Sequence, residues 1–171
     1  FAYQYIPDPK TIYKHAYKLP PGFWMLTDGK NTQQNRYWDV SFSDQSTKSE
    51  EELAHGLHEL IDDAVRLRMV SEVPLGAFLS GGVDSSAVVG LMAGHSSRPV
   101  TTCSIGFDSE RFDEVVWAQQ VAKQFNTDHH EFTVKENVVD SLQQIARYFD
   151  EPFADSSFVP TYFVSQLARQ K

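Results

Sequence analysis

Leu75-Gly76-Ala77-Phe78-Leu79-Ser80-Gly81-Gly82-Val83-Asp84-Ser85-Ser86, continuing as AVVGLMAG to Gly94, decides how this chain folds. A short apolar run suited to a buried strand, Leu75 to Leu79, meets a glycine turn, one carboxylate and two hydroxyls, and a second apolar run follows at helical spacing, which predicts a helix over Ser86 to Met92 that ends near Gly94. The junction reads as a phosphate-binding turn between strand and helix. Gly81 and Gly82 can adopt backbone angles closed to other residues, and they leave no Cβ between main-chain N–H groups and an approaching anion. The amides at the start of the helix and the hydroxyls of Ser80, Ser85 and Ser86 add further donors.

Two better-known phosphate loops are excluded. A Walker A loop requires a lysine after its glycine spacing, and a dinucleotide fingerprint requires GxGxxG; neither is present. Asp84 stands in the loop instead, and a carboxylate beside phosphates is repulsive unless it binds a cation. Mg²⁺, which takes one or two carboxylates with phosphate oxygens and water, resolves the conflict, so Asp84 is the expected metal ligand. The plainer alternative is a tight connection in which Asp84 or Ser85 only caps a helix.

Working outward, Ser49 opens a helix with Glu52 three positions on, a capping-box pattern, and Glu50, Glu51 and Glu52 suit the positive end of its dipole. Leu53, Leu57, Leu60, Ile61, Ala64 and Val65 are expected to form the stripe that packs on a sheet. His55 and His58 on that helix do not repeat a metal-site spacing. Downstream, Val100 to Ile105 reads as a strand, and a polar loop spans Phe107 to Asp113. A helix follows from Glu114 to Phe125, with Val115, Ala118, Val121, Ala122 and Phe125 on one face. His130 to Val134 is a strand, and Val138 to Tyr148 and Pro160 to Arg169 are helices. This alternation predicts an α/β fold with a mostly parallel, doubly wound sheet covered on both faces.

Residues before the linker at Ser43 to Ser49 differ in character. Pro20-Pro21-Gly22 and Asp28-Gly29 are turn signals flanking strands at Phe23 to Thr27 and up to Arg36-Tyr37-Trp38. A few antiparallel strands make no independent core, so they are expected to belong to a larger sheet. The boundary is drawn between residues 1–48 and 49–171.

The 171 residues carry a formal net charge of −8, with 41% hydrophobic and 22% charged residues. That composition fits a folded globular chain and argues against a broad basic surface for nucleic acid or an anionic membrane. No apolar run reaches the ~20 residues a bilayer needs, so no membrane partner is expected and the cytoplasm is the default location. The only cysteine, Cys103, is expected to be a small buried apolar residue. Phe1 and Lys171 read as internal positions of a longer protein.

SGGVDSS matches the SGGxDS pyrophosphate loop (PP-loop) of the N-type ATP pyrophosphatases. VPLGAFLSGGVDSSAVVGLMA, TCSIGFDSERFDE, DHHEFTV and DEPFADSSFVPTYFVSQLAR, in that order, resemble the synthetase domain of glutamine-dependent asparagine synthetases. IYKHAYKLPPGFWMLTDG and RYWDVSF resemble the end of that family's glutaminase domain and its exit into the synthetase domain. The resemblance implies an adenine-nucleotide alpha-hydrolase-like, Rossmann-like fold over residues 49–171, cut short, preceded over 1–48 by the last strands of an N-terminal-nucleophile glutaminase domain. It implies a ligase with ATP as substrate, Mg²⁺ as cofactor, and aspartate and glutamine-derived ammonia as the other substrates. Activation through β-aspartyl-AMP would release pyrophosphate, then AMP. By motif position, Leu79 and Ile105 would contact the adenosine end, Ser80, Gly81, Gly82, Ser85 and Ser86 the pyrophosphate, and Asp84 the metal. A homodimer is carried as an expectation.

The family's glutaminase cysteine and its later SGxGxDE motif have no counterpart in these residues, so this stretch alone is expected to be inactive. The rivals are a ligase of the same scaffold acting on another carboxylate, including β-lactam closure, and a non-catalytic nucleotide-binding module. Asp150, Glu151 and Asp155 line either the substrate or ammonia side of a pocket or serve in helix capping before Pro160 and ordinary loop solvation, while His129 and His130 read as structural.

Overall fold

The structure, a computed structural model, describes residues 3–43, 45–107, 115–134 and 138–171. All of the polar loop after Phe107, and Glu114, lie outside them. Two compact units are formed: Phe1–Thr47 with Gln143–Ser156, and Lys48–Leu142 with Ser157–Lys171.

In the first unit, β1 (Phe23–Thr27) pairs antiparallel with β2 (Thr32–Arg36). The turn between them is closed by Asp28, whose Oδ1 accepts from the amides of Lys30 at 2.8 Å and Asn31 at 2.7 Å. Both amides hold the Asp28 carboxyl below its ordinary range. The second strand ends at Arg36, two residues short of the expected Trp38, because the Tyr37 and Trp38 amides turn to the carbonyl of Gly22. Nearly all of the hairpin is exposed, as expected for strands without a core of their own. Glu151 also lies in this unit, its Oε1 ion-paired with Lys18 Nζ, which donates to the Ile6 carbonyl as well.

The second unit is built on a parallel sheet in the order β3 (Gly76–Phe78), β4 (Thr101–Phe107), β5 (Asp128–Val134). Ala77 is in register with Thr102, and Thr102 with His129. Between the strands run α2 (Val83–His95) and α3 (Val115–Gln124); α1 (Glu50–Arg68) precedes them. The helix α4 (Val138–Ile145) follows β5, with its end from Gln143 and the short 3-10 turn that continues it to Tyr148 belonging to the first unit, and α5 (Phe158–Ala168) comes last in the second. The fold is therefore α/β with a parallel sheet. Alternation along the strands sends Leu79, just past β3, against Val89, Ala118 and Ala122 of α2 and α3, and Cys103 of β4 against Val164 and Leu167 of α5. Both faces are covered, as read from the sequence. Cys103 is buried, and burial pushes its thiol above the ordinary range.

The capping box on α1 is present: Glu52 N donates to Ser49 Oγ, and Ser49 N donates to Glu52 Oε2 at 2.8 Å. The stripe expected to pack on the sheet is corrected. Val65 is buried beside Met92 and Val100, with Ile61 and Met69 partly covered, whereas Leu53, Leu57 and Leu60 are exposed. The packed face is centred about a third of a turn away from the leucines, because α1 lies against α2, with His95 Nε2 joined to Asp62 Oδ1 at 2.7 Å.

Candidate functional site

The end of β3 is anchored by its neighbour. Leu79 N donates to the Cys103 carbonyl at 2.9 Å, and the buried Ser104 Oγ donates to the Leu79 carbonyl at 2.5 Å. Leu79 itself is 1% exposed, so its side chain belongs to the core and only its backbone leads into the loop. Ser104 was not singled out from sequence. The available signal was Thr102 and Ser104 alternating with Cys103 on a strand due to be buried, where each hydroxyl must find a partner. Thr102 Oγ1 meets Thr127 Oγ1 at 2.9 Å and His129 Nδ1 at 2.8 Å.

After Ser80 the chain reverses at Gly81, whose φ is +80°. A Cβ there would lie 2.5 Å from Trp117 Cβ and 2.6 Å from Ala118 N, so the space is taken by α3 and not held open for a ligand. The absence of a side chain at Gly81 thus lets a helix abut the loop. Gly82, with φ −69° and ψ 162°, is the N-cap of α2 and provides no side-chain cap. The helix begins at Val83, three residues before the expected Ser86, which places Asp84, Ser85 and Ser86 in or at the end of its first turn. Its leading amides have no acceptor within the helix, and the positive end of its dipole emerges at the carboxyl end of a parallel strand. An anion is the natural cap for such an end.

The serines hold the loop closed on itself. Ser80 Oγ and Ser85 Oγ are 3.0 Å apart, Ser80 N donates to Ser85 Oγ, and Gly82 N donates to Ser80 Oγ, both at 3.3 Å. Ser86 Oγ donates to the Gly82 carbonyl at 2.7 Å. Hydroxyls expected to face an anion are therefore engaged within the loop, and the α2 amides are the donors that remain. Asp84 is exposed, and none of the described hydrogen bonds or ion pairs uses its carboxylate. Among the described residues no three His, Cys, Asp or Glu side chains gather into a metal site. A single open carboxylate suits Mg²⁺ only when phosphate oxygens and water complete the shell, and the helix end beside Asp84 is where such phosphates would sit. Ile105 lies on β4 opposite Phe132, partly buried against the cluster of Cys103, Val164 and Leu167, on the face away from the loop's supporting helices.

His129 and His130 are structural in setting. The buried Nε2 of His129 makes no hydrogen bond but lies 3.2 Å from Glu131 Oε1, and Glu131 Oε2 accepts from Gln119 Nε2 at 2.9 Å. Burial lowers the His129 pKa, with Glu131 pulling the other way. His130 Nε2 stands 3.3 Å from Asp128 Oδ2.

Residues 56–171 match the family model described as asparagine synthase. Over 99% of its length the chain is 38% identical to a Methanocaldococcus jannaschii protein assigned as glutamine-hydrolysing asparagine synthetase 2, of which it covers 33%. It is 33% identical, again over 99% of its length, to the glutamine-hydrolysing asparagine synthetase 1 of Bacillus subtilis, covering 27% of that protein. Half of the chain is 36% identical to amidase chry2 of Gibberella zeae, covering 13% of it. The chain thus spans about a third or less of the length of these curated relatives.

Proposed function

This chain belongs to the asparagine synthase family, and on that premise we propose that it carries the pyrophosphate-binding part of a ligase that makes asparagine from aspartate, ATP and glutamine-derived ammonia. The observation that carries the reading is the uncapped start of α2, delivered by Gly81 and Gly82 at the carboxyl end of β3, with the open carboxylate of Asp84 in its first turn. An oxygen of the substrate carboxylate attacks the α-phosphorus of ATP, the α–β bridging P–O bond breaks, and pyrophosphate departs with the bonding electrons. Ammonia then attacks the acyl carbon, the C–O bond to AMP breaks, and the nitrogen loses a proton to give the amide. The amides opening α2 stabilise negative charge as it gathers on pyrophosphate, and they are fixed in place before the reaction begins. Asp84 would hold Mg²⁺, which when bound neutralises charge on the phosphates. Residues 1–48 are assigned to the end of a glutaminase domain and 49–171 to the synthetase domain.

Asp84→Asn in the full-length protein tests the assignment. The exposed position leaves the melting temperature unchanged, while AMP formation at limiting Mg²⁺ falls tenfold or more. Unchanged turnover removes Asp84 from the metal role. The acceptor is open to a second reading, favoured by the similarity to an amidase: the same scaffold acting on another carboxylate. AMP release measured with aspartate and a panel of other carboxylates separates the two, and turnover indifferent to aspartate rejects the asparagine reading.

A further inference from the structure

Residues 143–156 belong to one part of the chain by sequence and to another by packing. They fall inside 56–171, the stretch that matches the asparagine synthase family, yet they form a compact unit with residues 1–47. The chain leaves the sheet-bearing unit after Leu142 and returns to it at Ser157, the N-cap of α5. Named bonds hold this excursion in place. Lys18 Nζ donates to Glu151 Oε1 at 2.5 Å and to the Ile6 carbonyl at 2.8 Å, and Ala154 N donates to the Gln4 carbonyl at 2.8 Å. Lys18 is itself fixed, its amide donating to the Pro9 carbonyl at 2.9 Å. The rings of Phe149 and Phe153 stack with centroids 5.2 Å apart on either side of Glu151 in sequence, and Pro152 disfavours helical backbone at Glu151. The side chains of Lys18 and Glu151 are 29% and 26% exposed, so solvent screens them less than an open surface pair such as Arg36–Asp39, at 57% and 65%. Solvation alone would leave the Glu151 carboxylate open to water; instead a lysine 133 residues away holds it.

We propose that Lys18 and Glu151 form a latch that couples the supply of glutamine-derived ammonia to the synthetase reaction. They are positioning residues: the pair seats the chain that enters α5 on the residues assigned to the end of the glutaminase part. The inference rests on the ligase reading given above. Coupling of this kind travels through ion pairs, packed side chains and rigid helices. Here the path runs from Lys18 to Glu151, along the chain into α5, and through Val164 and Leu167 to Cys103, beside which Ile105 is partly buried.

Steady-state assays of the full-length protein test this. With aspartate, ATP and Mg²⁺ present, glutamine is compared with ammonium as nitrogen source, and AMP and glutamate are measured in the same reactions. Lys18→Met and Glu151→Gln are expected to leave ammonium-dependent AMP formation within twofold of the wild type, which also shows that the variants fold. Glutamine-dependent AMP formation is expected to fall at least fivefold, and glutamate released per AMP to rise at least threefold. The double variant should lose no more than either single one, because the two side chains act as one pair. Lys18→Arg, which keeps the charge, should retain coupling. Equal losses with both nitrogen sources make the pair merely structural and overturn the latch. So do additive losses in the double variant, or a Lys18→Arg protein as uncoupled as Lys18→Met. An aspartate KM raised by Glu151→Gln in the ammonium reaction places Glu151 in a substrate pocket and overturns it as well. A wild-type protein that forms no AMP with ammonium overturns the ligase reading and the latch with it, whereas a working ligase whose glutamate-to-AMP ratio survives both substitutions overturns the latch alone.

Discussion

Replacing Gly81 by alanine should damage the loop far more than the same change at Gly82, although the two glycines are neighbours in one motif. At Gly81 the backbone sits at φ +80°, which costs an L residue about 1–2 kcal/mol. The new methyl would lie 2.5 Å from Trp117 Cβ, 2.6 Å from Ala118 N and 2.8 Å from the Trp117 carbonyl carbon, so helix backbone, not a flexible side-chain tip, must give way. Overpacking of that kind adds about 1–3 kcal/mol, for a total of roughly 2–5 kcal/mol. At Gly82 φ is −69° and the nearest atom is the rotatable Ser80 Oγ at 3.3 Å, so alanine there costs about 0.5 kcal/mol as a poorer N-cap. Urea unfolding of the full-length protein, followed by far-ultraviolet circular dichroism, reads the difference in the transition that melts this sheet. With a slope of about 2 kcal/mol per molar, Gly81→Ala moves that midpoint by about 1 M or more and Gly82→Ala by less than about 0.5 M. Equal, small shifts for both variants would refute the claim that α3 abutment and left-handed geometry fix the loop at Gly81.

Three further outcomes follow from the geometry. Ser104→Ala removes the donor to the Leu79 carbonyl and should cost about 1–3 kcal/mol as a buried acceptor is left unpaired; a change below about 0.5 kcal/mol in urea titration would show that the carbonyl finds another partner. Ser49→Ala removes one bond of the capping box and should cost about 1 kcal/mol, read as faster hydrogen exchange in the first turn of α1 with the rest of the unit unchanged; uniform exchange rates along α1 would contradict the cap's local role. Burial holds the His129 pKa below its ordinary 6.5, against the pull of Glu131, so above 6.5 both folded and unfolded states are neutral there. As pH falls through 6.5 the unfolded state takes up the proton first, and stability declines until the folded pKa is passed. His129→Gln should flatten that part of the stability profile, and parallel profiles for the two proteins would disprove it.

The strand, turn and helix order around the loop was legible because each element announces itself locally: β3 by its apolar run, α1 by Ser49 and Glu52, α3 by the period that buries Ala118 and Ala122. What escaped was decided by neighbours. Two apolar stripes share α1, and periodicity cannot say which of them α2 will cover; Val65 won because it lies opposite Met92 and Val100. The start of α2 was read three residues late because Gly82 caps through its backbone conformation, which no side chain advertises. Ser104 lay in plain view as a hydroxyl in a buried strand, but its partner, the Leu79 carbonyl, is a backbone atom 25 residues earlier.

These relations change what the motif's spelling means. Ser80 and Ser85 are five residues apart, and their contact closes the turn into a ring with Gly81 and Gly82 inside it. Ser86 ties down the Gly82 carbonyl, which keeps that oxygen engaged at the helix entrance where it would repel an anion. Gly81 admits α3, and Gly82 leaves the end of α2 uncapped. On the proposed reading, serines and glycines therefore shape the phosphate cradle, while the amides of Val83, Asp84 and Ser85 would form it. A phosphate arriving there need not break the ring, since the groups that receive it have no acceptor within the helix. Asp84 is then the one member of the motif whose charge opposes the ligand and whose carboxylate none of the described bonds uses, and that combination is what supports the proposal that a cation enters there with the phosphates.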